Sequence, residues 1–379
     1  MFAVWLVHIP AVQAAAGVSK AQLGTALLAL GVGSLVSMQV GGALIARFGA
    51  RKPLIVGLLL MAATLLAPAF AVDLWTLIAA LLLFGIGNGL ADVAMNAEAV
   101  EVQRDAGRAI ISSMHAFFSV GTAAGAGYGW GGQTVGLSTL TSFAIAAGIA
   151  SALGFVAYAL LPERGREPEP TTAELVIASR VPGTGRKPGR TAPIAQMLLL
   201  GLLAFTLMLA EGVASDWSAL HAVSELGESE ARGSLAYGAF ALSMTAARFC
   251  ADFAVRRFGS AAIVRYGSLI AAAGMLVVVA APSFWVALIG WTVFGLGVAA
   301  VVPQVFSAAG DLPVRKRAVV LARIVGVGYL GMLSGPAIVG WLAAVVGLNT
   351  ALVVPALLCL LGVVAAASVR SRKPAASTG

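Results

Sequence analysis

Charge is scarce in this chain. Only 11% of its 379 residues are Asp, Glu, Lys or Arg, while 60% are hydrophobic. Ordinary soluble domains carry about a quarter charged residues, so this composition excludes one, and it excludes a disordered chain as well. Cysteine is scarcer still. Cys250 and Cys359 are the two present, both inside apolar runs, so neither a structural disulfide nor a metal site is expected. A Walker lysine loop, an HExxH pair, a GxSxG elbow and a Cys/His cluster are all missing. The expectation is therefore no enzyme activity, no cofactor, and no transport driven by the chain's own ATP hydrolysis.

Long apolar stretches are what the chain has instead. Its length holds about twelve membrane spans of roughly 20 residues with short connectors. The expected spans after the first are 22–46, 54–71, 75–101, 109–131, 141–161, 194–222, 232–258, 264–281, 284–307, 318–344 and 349–369. Lys and Arg gather in alternate connectors: Arg47, Arg51 and Lys52; Arg104 and Arg108; 164–190; Arg256, Arg257 and Arg265; Arg315, Lys316 and Arg317; and Arg370, Arg372 and Lys373. The intervening connectors hold only Lys20 and Arg232. The net charge of +8 is thus a topology bias that calls for no nucleic-acid partner. It predicts a multi-pass protein of the cytoplasmic (inner) membrane with both termini in the cytoplasm.

One stretch recurs. Arg47-Phe48-Gly49 returns as Arg257-Phe258-Gly259, an offset of 210 that also pairs Trp75 with Trp285 and Phe84-Gly85 with Phe294-Gly295. Two parallel repeats follow, the internal symmetry of a two-bundle transporter. The expected organisation is an N-terminal six-helix bundle over 1–161, a Pro- and Gly-rich cytoplasmic linker over 162–193, a C-terminal six-helix bundle over 194–369 and a tail over 370–379. The first span has only residues 1–16, with Pro10 inside, and no signal-peptide pattern. The repeat places the start of this helix before Met1, so the sequence is expected to begin within helix 1.

Polar groups inside apolar spans are the informative ones, because a charge at the bilayer centre costs at least ~2.5–3.5 kcal/mol and usually faces a cavity or a partner. The fourth span carries Asn88, Asp92 and Asn96 at i, i+4, i+8, one stripe on one face. Ser112, His115 and Ser119 share a face of the fifth span at matching depths. Two readings stand: a polar wall for a substrate, or a hydrogen-bonded seam between the two helices that only fixes packing. Glu98 and Glu101 lie at the cytoplasmic mouth as interfacial charges, with Arg104 and Arg108 as partners.

The seventh span carries Glu211, Ser215 and Ser218 on one face, with Asp216 turned about 140° away at ~100° per residue. One carboxyl is expected to face the cavity and the other a neighbouring helix. A carboxyl in low dielectric holds a proton more readily, which makes Glu211 the first candidate for proton coupling, with Asp216 and Asp92 beside it. The alternative is a neutral or paired structural carboxyl. In the eighth span Arg248 and Asp252 are spaced for an intrahelical ion pair near the gate, with Arg256 one turn on. Arg323 either snorkels to the cytoplasm or lines the cavity. Pro303 and Gly335-Pro336 are candidate hinges.

With these residues in view, the chain resembles the major facilitator superfamily. Residues 42–52 are similar to its helix 2–3 signature, Gly-x-x-x-Asp-Arg-x-Gly-Arg-Arg, and depart from it at Ala46, where the family has an acid that latches the cytoplasmic gate. The second copy keeps an acid, Asp252, four residues early. Residues 87–96, 112–115, 211–218 and 328–331 resemble the fucose-permease-like branch that includes a rhizopine-related membrane protein. The resemblance implies an all-α membrane protein of twelve helices in two pseudo-symmetric bundles. It also implies a central cavity lined by helices 1, 4, 7 and 10, and alternating access. Arg47, Gly49, Arg51, Arg248, Asp252 and Arg256 then fall at the gate.

The function expected is secondary transport of a small polar solute, sugar-like in its hydrogen bonding, together with protons and by a monomer in lipid. The substrate-binding set is Asn88, Asp92, Asn96, His115, Ser119, Glu211 and Ser215. A proton-driven efflux antiporter is the alternative, and a non-transporting receptor or assembly factor on the same scaffold is a third reading.

Overall fold

Hydrocarbon offers no hydrogen-bond partner, so an apolar chain that crosses it must satisfy its backbone internally, which these apolar runs do as helices. A computed structural model describes residues 1–106, 111–161, 194–312 and 317–369, with side chains of 106, 111–116 and 317–319 outside that description. Among the described residues there is no strand. The first half of the chain forms α1 (Phe2–Ala16), α2 (Lys20–Phe48), α3 (Arg51–Leu65, followed by a 3-10 turn at Ala67–Phe70), α4 (Leu74–Ala106), α5 (Ile111–Thr134) and α6 (Thr139–Leu160). The second half forms α7 (Ile194–Ser224), α8 (Glu230–Phe258), α9 (Ser260–Val279), α10 (Phe284–Val298), α11 (Val301–Gly310), α12 (Arg317–Val346), α13 (Leu348–Ala351) and α14 (Val353–Ala365), which a 3-10 turn at Ala366–Val369 extends.

Ten of the described helical segments are long and apolar enough to cross a bilayer; α10 and α11 count as one (Phe284–Gly310), as do α13, α14 and the last turn (Leu348–Val369). The 15-residue α1 and the 24-residue α5 complete twelve. The linker at 162–193 and the tail at 370–379 lie outside the described residues.

The repeat is visible in local geometry. Helices α2 and α8 are each 29 residues long and begin and end 210 residues apart. Ser19 caps the first by accepting from Gln22 N, and Ser229 caps the second by accepting from Arg232 N. Gly49 and Gly259 end them at φ +75° and +83°, a conformation that costs a side chain-bearing residue and suits glycine. The arginine before each cap lies over its neighbouring ring, Arg47 on Phe48 at 5.2 Å and Arg257 on Phe258 at 5.7 Å.

Packing obeys the same symmetry. Within the first half α4 packs on α2 and α3, and α3 on α6; within the second, α10 packs on α8 and α9, and α9 on α14. Between halves α2 packs on α12 and α5 on α8, with α1 against α7 and α8. Because the offset of 210 turns α2 into α8 and α5 into α12, these two cross-pairs are images of one another. Buried aromatics fill both halves, Trp5, Phe84 and Phe143 in one and Trp217, Trp291 and Phe294 in the other. Apolar side chains such as Leu153, Leu160, Trp285 and Val364 stand exposed, as lipid-facing positions do.

The halves are tied at the end away from the arginine clusters. Lys20 of α2 forms an ion pair with Glu225, just past α7. Ser234 Oγ donates to Gln133 Oε1 at 2.5 Å. A Cβ placed on Gly24 would stand 3.1 Å from Ala337 Cα and 3.2 Å from Gly340 Cα, so α2 and α12 touch backbone to backbone. Of the two expected hinges, Gly335-Pro336 lies inside the continuous α12, whereas the tenth span breaks between α10 and α11, just before Pro303.

Candidate functional site

The polar stripe on α4 divides in two. Asn88 Nδ2 donates to Ser34 Oγ at 3.4 Å, and Ser34 Oγ donates on to Gly85 O, so Asn88 belongs to the α2/α4 contact. Asn96 Nδ2 instead folds back on its own helix, 2.9 Å from Asp92 O and 3.4 Å from Asp92 Oδ1. Asp92 and Asn96 are both half-buried. Helix α4 packs chiefly on α2 and α3. Ser119 is buried. The side chains of Ser112 and His115 lie outside the described residues.

Glu211 sits near the middle of α7. Its Oε1 accepts from Arg248 Nη2 of α8 at 3.0 Å, and the two side chains are 15% and 39% exposed. The intrahelical Arg248–Asp252 pair expected from the sequence is therefore not formed. Arg248 instead reaches across the α7/α8 contact to Glu211, which is less exposed than Asp252 one turn along α8. Ser215 Oγ donates to Glu211 O, one turn along. Asp216 points a different way, beside the buried Tyr237 of α8, whose phenol feels its charge.

Tyr329 of α12 joins these groups. Its half-buried phenol lies within electrostatic reach of Asp92 from the first half and Glu211 from the second. From the sequence Tyr329 stands only within the 328–331 resemblance, with no role assigned to it. The available signal was a tyrosine in an apolar helix of a chain with five, between glycines at 328 and 331.

At the arginine-rich end, Arg51 is part of a strut within the first half. Its Nε and Nη2 donate to Tyr158 O at 3.0 and 2.6 Å, and its guanidinium lies 4.0 Å from the Tyr158 ring centre. Glu101 pairs with Arg104 at 3.1 Å as expected, and Glu98 is buried. Arg323 is exposed. Cys250 and Cys359 are both free thiols, and among the described residues no cluster of His, Cys, Asp and Glu is arranged to hold a metal. Lys20, Glu225, Gln133 and Ser234 were also missed as a set, because their meaning comes only from meeting across the halves.

Known proteins resemble this chain along its whole length. The model for the Major Facilitator Superfamily matches residues 1–312 and again 199–379. An uncharacterized MFS-type transporter of Yersinia pestis is 33% identical over 358 residues, covering 94% of this chain and 89% of the relative. The membrane protein MosC of Rhizobium meliloti is 31% identical over 352 residues, covering 93% and 82%. Among solved structures, a D-xylose-proton symporter superposes with a TM-score of 0.74 at 17% identity, covering 97% of this chain and 93% of that one, a likeness of fold. The double match to one family model and the extent of the two relatives agree with the twelve-helix architecture: this chain belongs to the major facilitator superfamily.

Proposed function

We propose that this protein is a secondary transporter that moves a small polar, sugar-like solute together with protons across the cytoplasmic membrane. The observation that carries the reading is the Glu211–Arg248 pair that joins α7 to α8 in mid-span, with Asp92 and Asn96 half-buried and hydrogen-bonded on α4. Groups of this kind are costly there unless a wet cavity and a cargo use them. Asp92 and Asn96 bind hydroxyls of the cargo, Tyr329 bridges between the halves, and Glu211 carries the proton while Arg248 balances its charge. Ser119 and Ser215 are second contacts, and Asn88 positions α4. The resemblance of fold to a D-xylose-proton symporter supports a sugar-like cargo and symport.

In this reading residues 1–161 and 194–369 are the two bundles, 162–193 is their cytoplasmic linker and 370–379 a cytoplasmic tail. The positive-inside bias puts the arginine-rich end in the cytoplasm. Arg47, Gly49, Asp252 and Arg256 act at that mouth, and the Lys20 end closes the external side while the protein functions as a monomer by alternating access. A thermal-shift screen of sugars, polyols and organic acids on purified protein identifies the cargo. Uptake of that cargo into proteoliposomes is expected to follow an inward proton gradient and to lose that dependence in Glu211→Gln. A cargo moved equally well without the gradient contradicts symport, and unchanged coupling in Glu211→Gln removes Glu211 from the proton's path.

A further inference from the structure

The tenth span is broken at a place its sequence dictates. Proline has no backbone N–H, so Pro303 cannot donate to the carbonyl four residues earlier, that of Ala299. Helix α10 ends at Val298, α11 begins at Val301, and Ala299 and Ala300 lie between them. Arg248 Nε points at Ala299 O, 3.4 Å away, and the same guanidinium holds Glu211 Oε1 through Nη2 at 3.0 Å. One planar group therefore joins the carboxylate on α7 to the loose carbonyl at the break.

We propose that Arg248 is a positioning residue that transmits the charge state of Glu211 to the α10/α11 break. The inference rests on the reading of Glu211 as the proton carrier. With Glu211 ionised, the guanidinium is shared between the carboxylate and Ala299 O. When a proton from water joins the Glu211 carboxyl, the guanidinium keeps its charge, its tie to α7 weakens, and Ala299 O becomes its main anchor, so α11 re-orients relative to α10. Lysine carries the same charge but lacks the rigid fork that serves both partners.

The other titratable and charged groups near Glu211 are few. Helix α8 supplies Cys250 and Asp252 close to Arg248, with Glu230, Arg232, Tyr237, Arg256 and Arg257 further along. Helix α12 supplies Tyr329 and Arg323, and beyond Tyr329 lies Asp92 of α4. Helix α1 supplies His8, α14 supplies Cys359, α7 itself supplies Asp216 and His221, and α10 and α11 supply none.

Spin labels read the bend directly. Ile289→Cys and Ser307→Cys place them on exposed positions of α10 and α11; Cys250→Ser removes the exposed native thiol, and buried Cys359 stays. A ~20° change of tilt swings the end of the ten-residue α11 by about 5 Å. With the full chain in lipid nanodiscs and no cargo, protons being the only probe, the label distance is expected to shift by about 3 Å between about pH 8 and about pH 4. Glu211→Gln is expected to fix the distance at its acid value, and Arg248→Lys to abolish the shift. Pro303→Ala, which returns a donor to Ala299 O without touching a charge, is expected to abolish it too and serves if Arg248→Lys does not fold. A parent that shows no shift overturns the inference. A shift that persists in Arg248→Lys and Pro303→Ala but not in Glu211→Gln overturns the strut and leaves the proton reading standing. A shift that persists in Glu211→Gln overturns that reading itself.

Discussion

Trp341 Nε1 donates to Thr25 Oγ1 across 3.0 Å, joining α12 to α2. Thr25 and Trp341 are the residues next to Gly24 and Gly340, which meet each other and Ala337 in the same contact. The two halves are thus closed on each other by a backbone contact that admits no side chain, flanked by an indole bond on one side and the Lys20–Glu225 ion pair on the other.

The backbone contact makes Gly24 a switch position. A valine there meets Ala337 Cα and Gly340 Cα at distances that force the helices apart. Overpacking of this sort costs about 1–3 kcal/mol in the closed arrangement alone, which moves a two-state population by roughly 5–150-fold. Gly24→Val is therefore expected to raise labelling of a cysteine at Thr25 by a membrane-impermeant thiol reagent from the Lys20 side. Labelling equal to that of Thr25→Cys alone contradicts the closed contact.

The ion pair at the same end allows a charge exchange. Lys20 and Glu225 are 25% and 18% exposed, so they are partly shielded from water. Lys20→Glu opposes two carboxylates and is expected to open this end, as is Glu225→Lys with two ammonium groups. The double exchange is expected to restore closure to near the native level in the same labelling experiment. Double-exchange protein as open as either single variant means that the pair does not hold the halves together.

Asp73 gives a pH dependence outside the spans. It precedes α4 and accepts from Thr76 N at 2.8 Å and Thr76 Oγ1 at 2.7 Å. The backbone bond first, and the side-chain bond second, hold its carboxyl below the usual 3.8. A carboxyl lowered in the folded state stabilises above its ordinary range, and that stabilisation is lost as pH falls through the lowered value. Asp73→Ala is thus expected to lower the melting temperature near neutral pH and to differ little from the native protein at about pH 2. An equal difference at both pH values contradicts the cap.

Much of this was legible because the membrane imposes a simple code. Spans and charge bias follow from hydrocarbon thickness and the cost of an unpaired backbone group, and the 210-residue offset already paired Gly49 with Gly259, which the structure shows ending α2 and α8. Polar pairs were harder. Spacing on one helix suggested Arg248 with Asp252, but the partner is decided by what the neighbouring helix presents, which no single-helix pattern contains. Tyr329, and the contacts of Lys20 and Trp341, escaped for the same reason: each acquires its role from a residue more than a hundred positions away.

Exposure of the cavity to alternate sides is the central claim, and Ser215 tests it most directly. It lies one turn from Glu211 and is half-buried. In oriented vesicles, Ser215→Cys is expected to react with an impermeant thiol reagent from the arginine-rich side. When combined with Gly24→Val it is expected to become reactive from the Lys20 side as well. A thiol at this position that reacts from neither side in either background would contradict the account, because it would place Glu211 and its neighbours in sealed protein or lipid and not on a solute pathway.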